Sequence, residues 1–267
     1  MKVDSGRVPP ERSFMRKPTT GLLLLSAALV IWQLFSWTGV LPLRKIPSPV
    51  QVVSALYMLT FQGLPPEYLL HGHVLASLVR VFGGFFFAAV TAIPLGILMG
   101  WNRPLRIVVT PFVEILRPIP PLAWIPIAIL WFGIGIKSAA FIIFLGVFFP
   151  ILLNTVSGVL SADVRLIEAA KVLGAKPPQI LLKVLTQGAL PSVFTGVRIG
   201  LGVGWMTLVA AEFTGVKNGY GLGYLIMIAR DIQRADAIVA GMIVIGLVGY
   251  SIDGVVKRLE RRLLEWM

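Results

Sequence analysis

Six stretches of this chain are each long and apolar enough to cross a bilayer, and that pattern limits the fold more than any motif in it. A membrane helix needs roughly 20 mostly apolar residues; the stretches run 21–40, 74–100, 107–132, 138–160, 192–213 and 237–256. Only 13% of the 267 residues are charged, about half of what a soluble domain carries. A soluble fold of this size would leave large exposed apolar patches. The expected fold is therefore all-α: a polytopic membrane protein with six transmembrane helices in a single domain, 1–267. No cysteine is present, which excludes disulfides and thiolate metal sites.

The first stretch follows basic residues, as a signal peptide would. It continues through Trp32, Phe35 and Trp37, too long and aromatic for a cleaved segment, and reads as a retained span. The net charge of +12 could suggest nucleic acid, but the basic residues lie between apolar runs rather than along one face, so no nucleic-acid partner is expected. With both termini in the cytoplasm, fifteen Lys and Arg residues fall on that side and six on the other, with Arg80, Arg117 and Arg198 inside spans. Lys and Arg resist translocation, so this asymmetry supports a multi-pass protein of the cell (inner or plasma) membrane with a cytoplasmic N-tail (1–20) and C-tail (257–267).

Pro118, Pro120, Pro121 and Pro126 interrupt the third stretch. Prolines there free backbone groups that protein or water must satisfy, so this span is expected to be kinked and to face a cavity. The segment 41–72 lies outside, and Ser48-Pro-Val50 starts an amphipathic helix on the membrane surface, with Val52, Val53, Leu56 and Leu59 on one face. The segment 161–191 between spans four and five is no floppy connector. A helix from Val164 to Leu173 stops at Gly174, and Pro177-Pro178 start a second short helix, Gln179 to Leu185.

Several charges have two readings. Glu114 and Arg117 are three apart on one helical face: they either neutralise each other or leave Arg117 to offer positive potential to a passing anion, with Pro118, Pro120 and Pro121 opening the helix around it. Arg198 has the same alternatives, and a structural role, snorkelling to the cytoplasmic interface, is favoured. Glu212 is expected at the outer end of span five, where solvation is easy. His71 and His73 read as a plain surface pair and not a metal site, since no third ligand is in sight. The segment Lys217-Asn-Gly-Tyr-Gly-Leu-Gly-Tyr224 resembles a phosphate-binding loop in glycine content, but it lies outside without a preceding strand, and a hinge or gate is expected. No Gly-x-x-x-x-Gly-Lys-Ser/Thr loop occurs anywhere, so the chain itself is not expected to hydrolyse ATP.

Glu168-Ala169-Ala170, with Gly174 four residues beyond the second alanine, resembles the EAA loop of the permease subunits of ATP-binding-cassette importers. The family form continues with nine residues and Ile-x-Leu-Pro; here those four positions are Val184 to Gln187, and a Leu190-Pro191 pair follows. Arg117-Pro-Ile-Pro-Pro-Leu-Ala-Trp124 and Gly196-Val-Arg-Ile-Gly-Leu-Gly-Val-Gly-Trp205 are similar to segments of the nitrate/sulfonate/taurine/bicarbonate branch, with taurine and alkanesulfonate permeases nearest. The resemblance implies a type I importer permease: a second permease copy as homodimer, two cytoplasmic ATPases carrying ATP and Mg, and an external solute-binding protein. It implies that Glu168, Ala169, Ala170 and Gly174 couple to the ATPase. A translocation pathway past Glu114, Arg117, Pro118, Pro120, Pro121, Trp124 and Arg198 would pass a small anion. No cofactor or metal is expected on this chain. A sensor, a scaffold or a channel of the same fold is the alternative; a passive pore has no use for a rigid loop.

Overall fold

The computed structural model describes residues 18–38, 46–64, 68–213 and 219–263. The basic tail up to Lys17, together with Arg44, Lys45, Lys217 and the last four residues, lies outside them. The elements are α1 (Pro18–Trp37), α2 (Pro49–Phe61), α3 (Leu70–Trp101), α4 (Arg103–Leu116), a 3₁₀ turn (Pro121–Trp124), α5 (Ile125–Phe132), α6 (Ile136–Leu160), α7 (Val164–Val172), α8 (Pro177–Ile180), a π turn (Leu181–Leu185), α9 (Thr186–Phe213), α10 (Leu222–Asp231) and α11 (Ala235–Leu263). Among the described residues no strand forms.

Among the described residues, four helices qualify by length and apolarity for crossing a membrane: α3, α6, the continuous helix Pro177–Phe213 and α11. A fifth span results if Arg103–Leu116 and Pro121–Phe132, bent by 84°, count as one. The expected first span is the apolar helix α1, 20 residues from Pro18 to Trp37, about the length that a membrane helix needs. The kink expected in the third span is thus a sharp turn at 117–120, where Arg117 closes α4 and Pro120 starts the 3₁₀ turn in extended conformation.

The expected break between coupling segment and span five is absent. The stretch read as a second short loop helix is the first part of the Pro177–Phe213 helix. The π turn passes through it, with Thr186 N–H donating to Leu181 O. Pro191 lies inside α9; membrane helices tolerate proline because neighbours and local π adjustments re-satisfy the backbone.

The core is formed where α6 packs between α3 and α9. Val81, Ala88 and Ala92 meet Ile143, Val147, Ile151 and Leu152, and Leu208 closes the far side. These helices approach closely because glycine faces the bulk of its neighbour. A Cβ on Gly84 would fall 2.7 Å from Ile143 Cβ, and one on Gly204 would fall 2.7 Å from Val147 Cγ2. Lipid is as apolar as leucine, so packing of this kind, rather than water exclusion, holds membrane helices together.

Helix α2 starts as read. Ser48 Oγ accepts from Gln51 N–H, and Gln51 Oε1 accepts from Ser48 N–H, a reciprocal cap. Its buried edge is Val52, Ala55 and Leu59, packed on Leu225 and Ala229 of α10 and Ala237 and Ala240 of α11. Val53, expected on that edge, is exposed instead, because the turn of the helix brings Ala55 round in its place.

Candidate functional site

The EAA segment forms a short helix closed at both ends. Asp163 Oδ1 accepts from Arg165 N–H at 2.9 Å and starts α7. At the other end Gly174 N–H donates to Lys171 O and Ala175 N–H to Ala170 O, both 2.9 Å. That pair of bonds is the Schellman ending, and it requires the left-handed backbone of Gly174, φ +79°. Lys176 N–H then donates to Gln179 Oε1, and Pro177 opens the long helix. One side of α7, Ile167 and Ala170, packs with Ala175 on Val159, Ile180 and Leu185. Glu168 and Ala169 are exposed. So are Val172 and Leu173, at 88% and 86%. The spacing placed Ala169 and Ala170 together; the fold separates them, Ala170 against its own chain and Ala169 facing out.

The bend at 117–120 opens on a cavity of about 320 Å³ lined by Arg117, Trp124, Phe149, Asn154, Ile199 and Val203. Pro121 also lines it, and Pro118 and Pro120 shape the turn beside it. Glu114 does not line it. Among the described residues Glu114 and Arg117 make no ion pair, so the mutual neutralisation that their spacing allowed does not form. The α4 helix ends at Leu116, and beyond it the backbone turns away. Trp124 stands edge-on to Phe141.

Arg198 is not part of this cavity. Its Nε donates to Asp253 Oδ1 on α11 at 2.8 Å, and Lys257 Nζ reaches Asp253 Oδ2 at 2.6 Å. Arg198 thus takes the structural alternative, as a part-exposed bridge between α9 and α11. The positions read as a pathway are therefore split, with Arg117 and Trp124 on one side of α9 and Arg198 on another.

A third group escaped sequence reading. Arg80 Nη1 lies 2.6 Å from Glu212 Oε1, and Ser77 Oγ donates to the same carboxylate at 2.9 Å. Gly223 N–H donates to Glu212 Oε2, and Leu222 N–H to Ser77 Oγ. Glu212 and His73 have no exposed surface, and Arg80 has 3%. Two expectations are corrected here. Glu212 is buried rather than solvated, because Arg80, Ser77 and the start of α10 supply what water would. His73 is no surface partner of His71: its Nδ1 faces Gly221, 2.9 Å from the carbonyl and 3.1 Å from the amide, one of which it can bond in each tautomer. His71 is exposed, and among the described residues no cluster of three potential metal ligands forms.

Gly221 and Gly223 belong to this network rather than to a phosphate, while Gly219 lies against Tyr68. A Cβ on Gly221 would lie 2.7 Å from the Glu212 carboxylate carbon, which requires glycine there. The available signal was the spacing His73, Ser77, Arg80, which lie on one face of an otherwise apolar helix. An arginine so placed needs a carboxylate, and Glu212 stands at the end of an adjacent span.

The family model described as binding-protein-dependent transport system inner membrane component matches residues 92–265. A putative ABC transporter permease protein of Methanocaldococcus jannaschii, MJ0413, is 44% identical over 91% of this chain and 90% of its own length. The taurine transport system permease protein TauC of Escherichia coli is 36% identical over 99% of this chain and 96% of its own. Among solved structures, the MetNI methionine ABC transporter in inward-facing conformation matches with a TM-score of 0.65 and 27% identity, over 74% of this chain and 97% of that chain.

Proposed function

The chain belongs to the binding-protein-dependent transport system inner membrane components, and on that premise we propose that it moves a small anion through the Arg117 cavity under the pull of an ATPase on α7. It is an ABC transporter permease subunit, and the family implies a separate ATPase and a solute-binding protein. The further reading is a homodimer with both termini in the cytoplasm. The solute is a small anion of the sulfonate class, as the taurine permease relative suggests, or one of nitrate or bicarbonate type.

One observation carries the coupling role. Val172 and Leu173 are almost fully exposed beside the charged Glu168, at the tip of a helix rigidly closed by Gly174. Apolar side chains held out in this way fit a groove on a soluble partner. Arg117 supports the solute class: it is a cation without an ion-pair partner among the described residues, on a cavity otherwise lined by apolar groups and Asn154.

The test is the double variant Val172→Asp/Leu173→Asp in the reconstituted complex. Solute-stimulated ATP hydrolysis and uptake are expected to fall together while the chain keeps its fold. Unchanged stimulation would rule out docking through α7.

A further inference from the structure

An apolar groove of about 480 Å³ runs between α3, α9 and α11, with Leu78, Phe82, Val197, Leu201, Val248 and Ile252 among its walls. A second cleft of about 380 Å³ shares Val255 and Leu259 with it and is lined otherwise by Arg258, Arg261 and Arg262. Val248, Ile252, Val255, Leu259 and Arg262 recur at three- and four-residue spacing along one face of α11, with Arg258 beside Val255 and Leu259. That face thus changes from apolar to cationic within about three turns.

Arg258, Arg261 and Arg262 make no ion pair among the described residues, whereas their neighbour Lys257 is held by Asp253. A ligand that fits must carry negative charge at one end and an apolar body at the other. A soluble protein partner could meet the arginines but not a groove reaching Phe82 among the spans. We infer that this site holds one anionic phospholipid, with an acyl chain between α3 and α11 and its phosphate on the three arginines.

Lys or Arg near a membrane surface attracts anionic lipid by about fivefold each, so three contribute on the order of a hundredfold. The full chain, purified in mild detergent, would be offered phosphatidylglycerol, phosphatidylcholine or glycerol phosphate, and bound lipid counted by native mass spectrometry. Phosphatidylglycerol is expected to be retained in preference to phosphatidylcholine. The exposed triple variant Arg258→Gln/Arg261→Gln/Arg262→Gln should lose that preference, with thermal unfolding in phosphatidylcholine unchanged. Ser251→Trp, which fills the groove but spares the arginines, should also lose it.

Equal retention by the triple variant would overturn the inference. So would competition by glycerol phosphate as effective as by phosphatidylglycerol, which would make the arginines a site for free phosphate. Efficient disulfide cross-linking of Phe82→Cys between two copies would overturn it as well, since a second copy would then cover the groove.

Discussion

The Arg80 guanidinium and the Glu212 carboxylate meet at 2.6 Å with both side chains sealed from solvent, joining the first half of α3 to the last turn of α9. Glu212 also receives Gly223 N–H and so caps the start of α10. Breaking a buried pair from one side leaves an uncompensated charge and costs about 3–5 kcal/mol. Glu212→Gln should therefore lower the unfolding temperature in detergent sharply. Arg80→Met combined with Glu212→Gln should recover part of the loss, since no charge is stranded. A double variant as unstable as the sum of its parts would mean that the two residues act separately.

Gly174 separates a conformational requirement from a steric one. Its backbone is left-handed, yet a Cβ placed on it would meet nothing within 4 Å. Gly174→Val should thus strain the α7 ending by about 1–3 kcal/mol and uncouple ATP hydrolysis from uptake. Gly174→Asn, which adopts the left-handed region more readily, should keep most of the coupling. Equal defects in both would point to the loss of space, not of conformation. The paired assay of stimulated ATPase and uptake in the same vesicles distinguishes them.

If Arg117 attracts the solute, Arg117→Ala should weaken apparent affinity in uptake by about tenfold to a hundredfold, the range for a hydrogen bond to a charged group. Arg117→Lys should keep part of it, having the charge without the guanidinium fork. Glu114→Gln should leave uptake alone, because Glu114 neither pairs with Arg117 nor lines the cavity. Uptake unaffected by Arg117→Ala would remove the residue from the pathway.

Topology can be read by labelling, because the chain has no cysteine of its own. Cysteine at Val53, exposed on α2, should react with an impermeant reagent in intact cells. Cysteine at Leu173, exposed after α7, should react only after lysis. The reverse pattern would invert the orientation argued from the basic residues.

The helical fold was legible wherever a run of apolar residues is long, because burial in lipid forces the backbone to satisfy itself. Gly174 was legible too, since a helix that stops against a following Pro-Pro pair leaves few alternatives to a left-handed ending. What stayed hidden depends on partners far apart in sequence. Arg80 and Glu212 are separated by 132 positions, and nothing local to Glu212 marks it as buried. Arg198 looked free to snorkel because Asp253 lies a span away. Pro191 was read as the end of the loop, yet the helix passes through it, since neighbouring helices outweigh its local propensity.

The uninterrupted helix from Pro177 to Phe213 has a consequence of scale. At 1.5 Å per residue it is about 55 Å long, well over the roughly 30 Å of a hydrocarbon core. Pro177 follows the Gly174 turn by three residues, and Glu212 sits near the far end. If a helix of that length tilts as one body by about 5°, its tip moves roughly 4–5 Å, further than the Arg80–Glu212 bond can stretch. The Arg80–Glu212 pair is thus the fastening that meets any tilt of this helix begun at its Pro177 end.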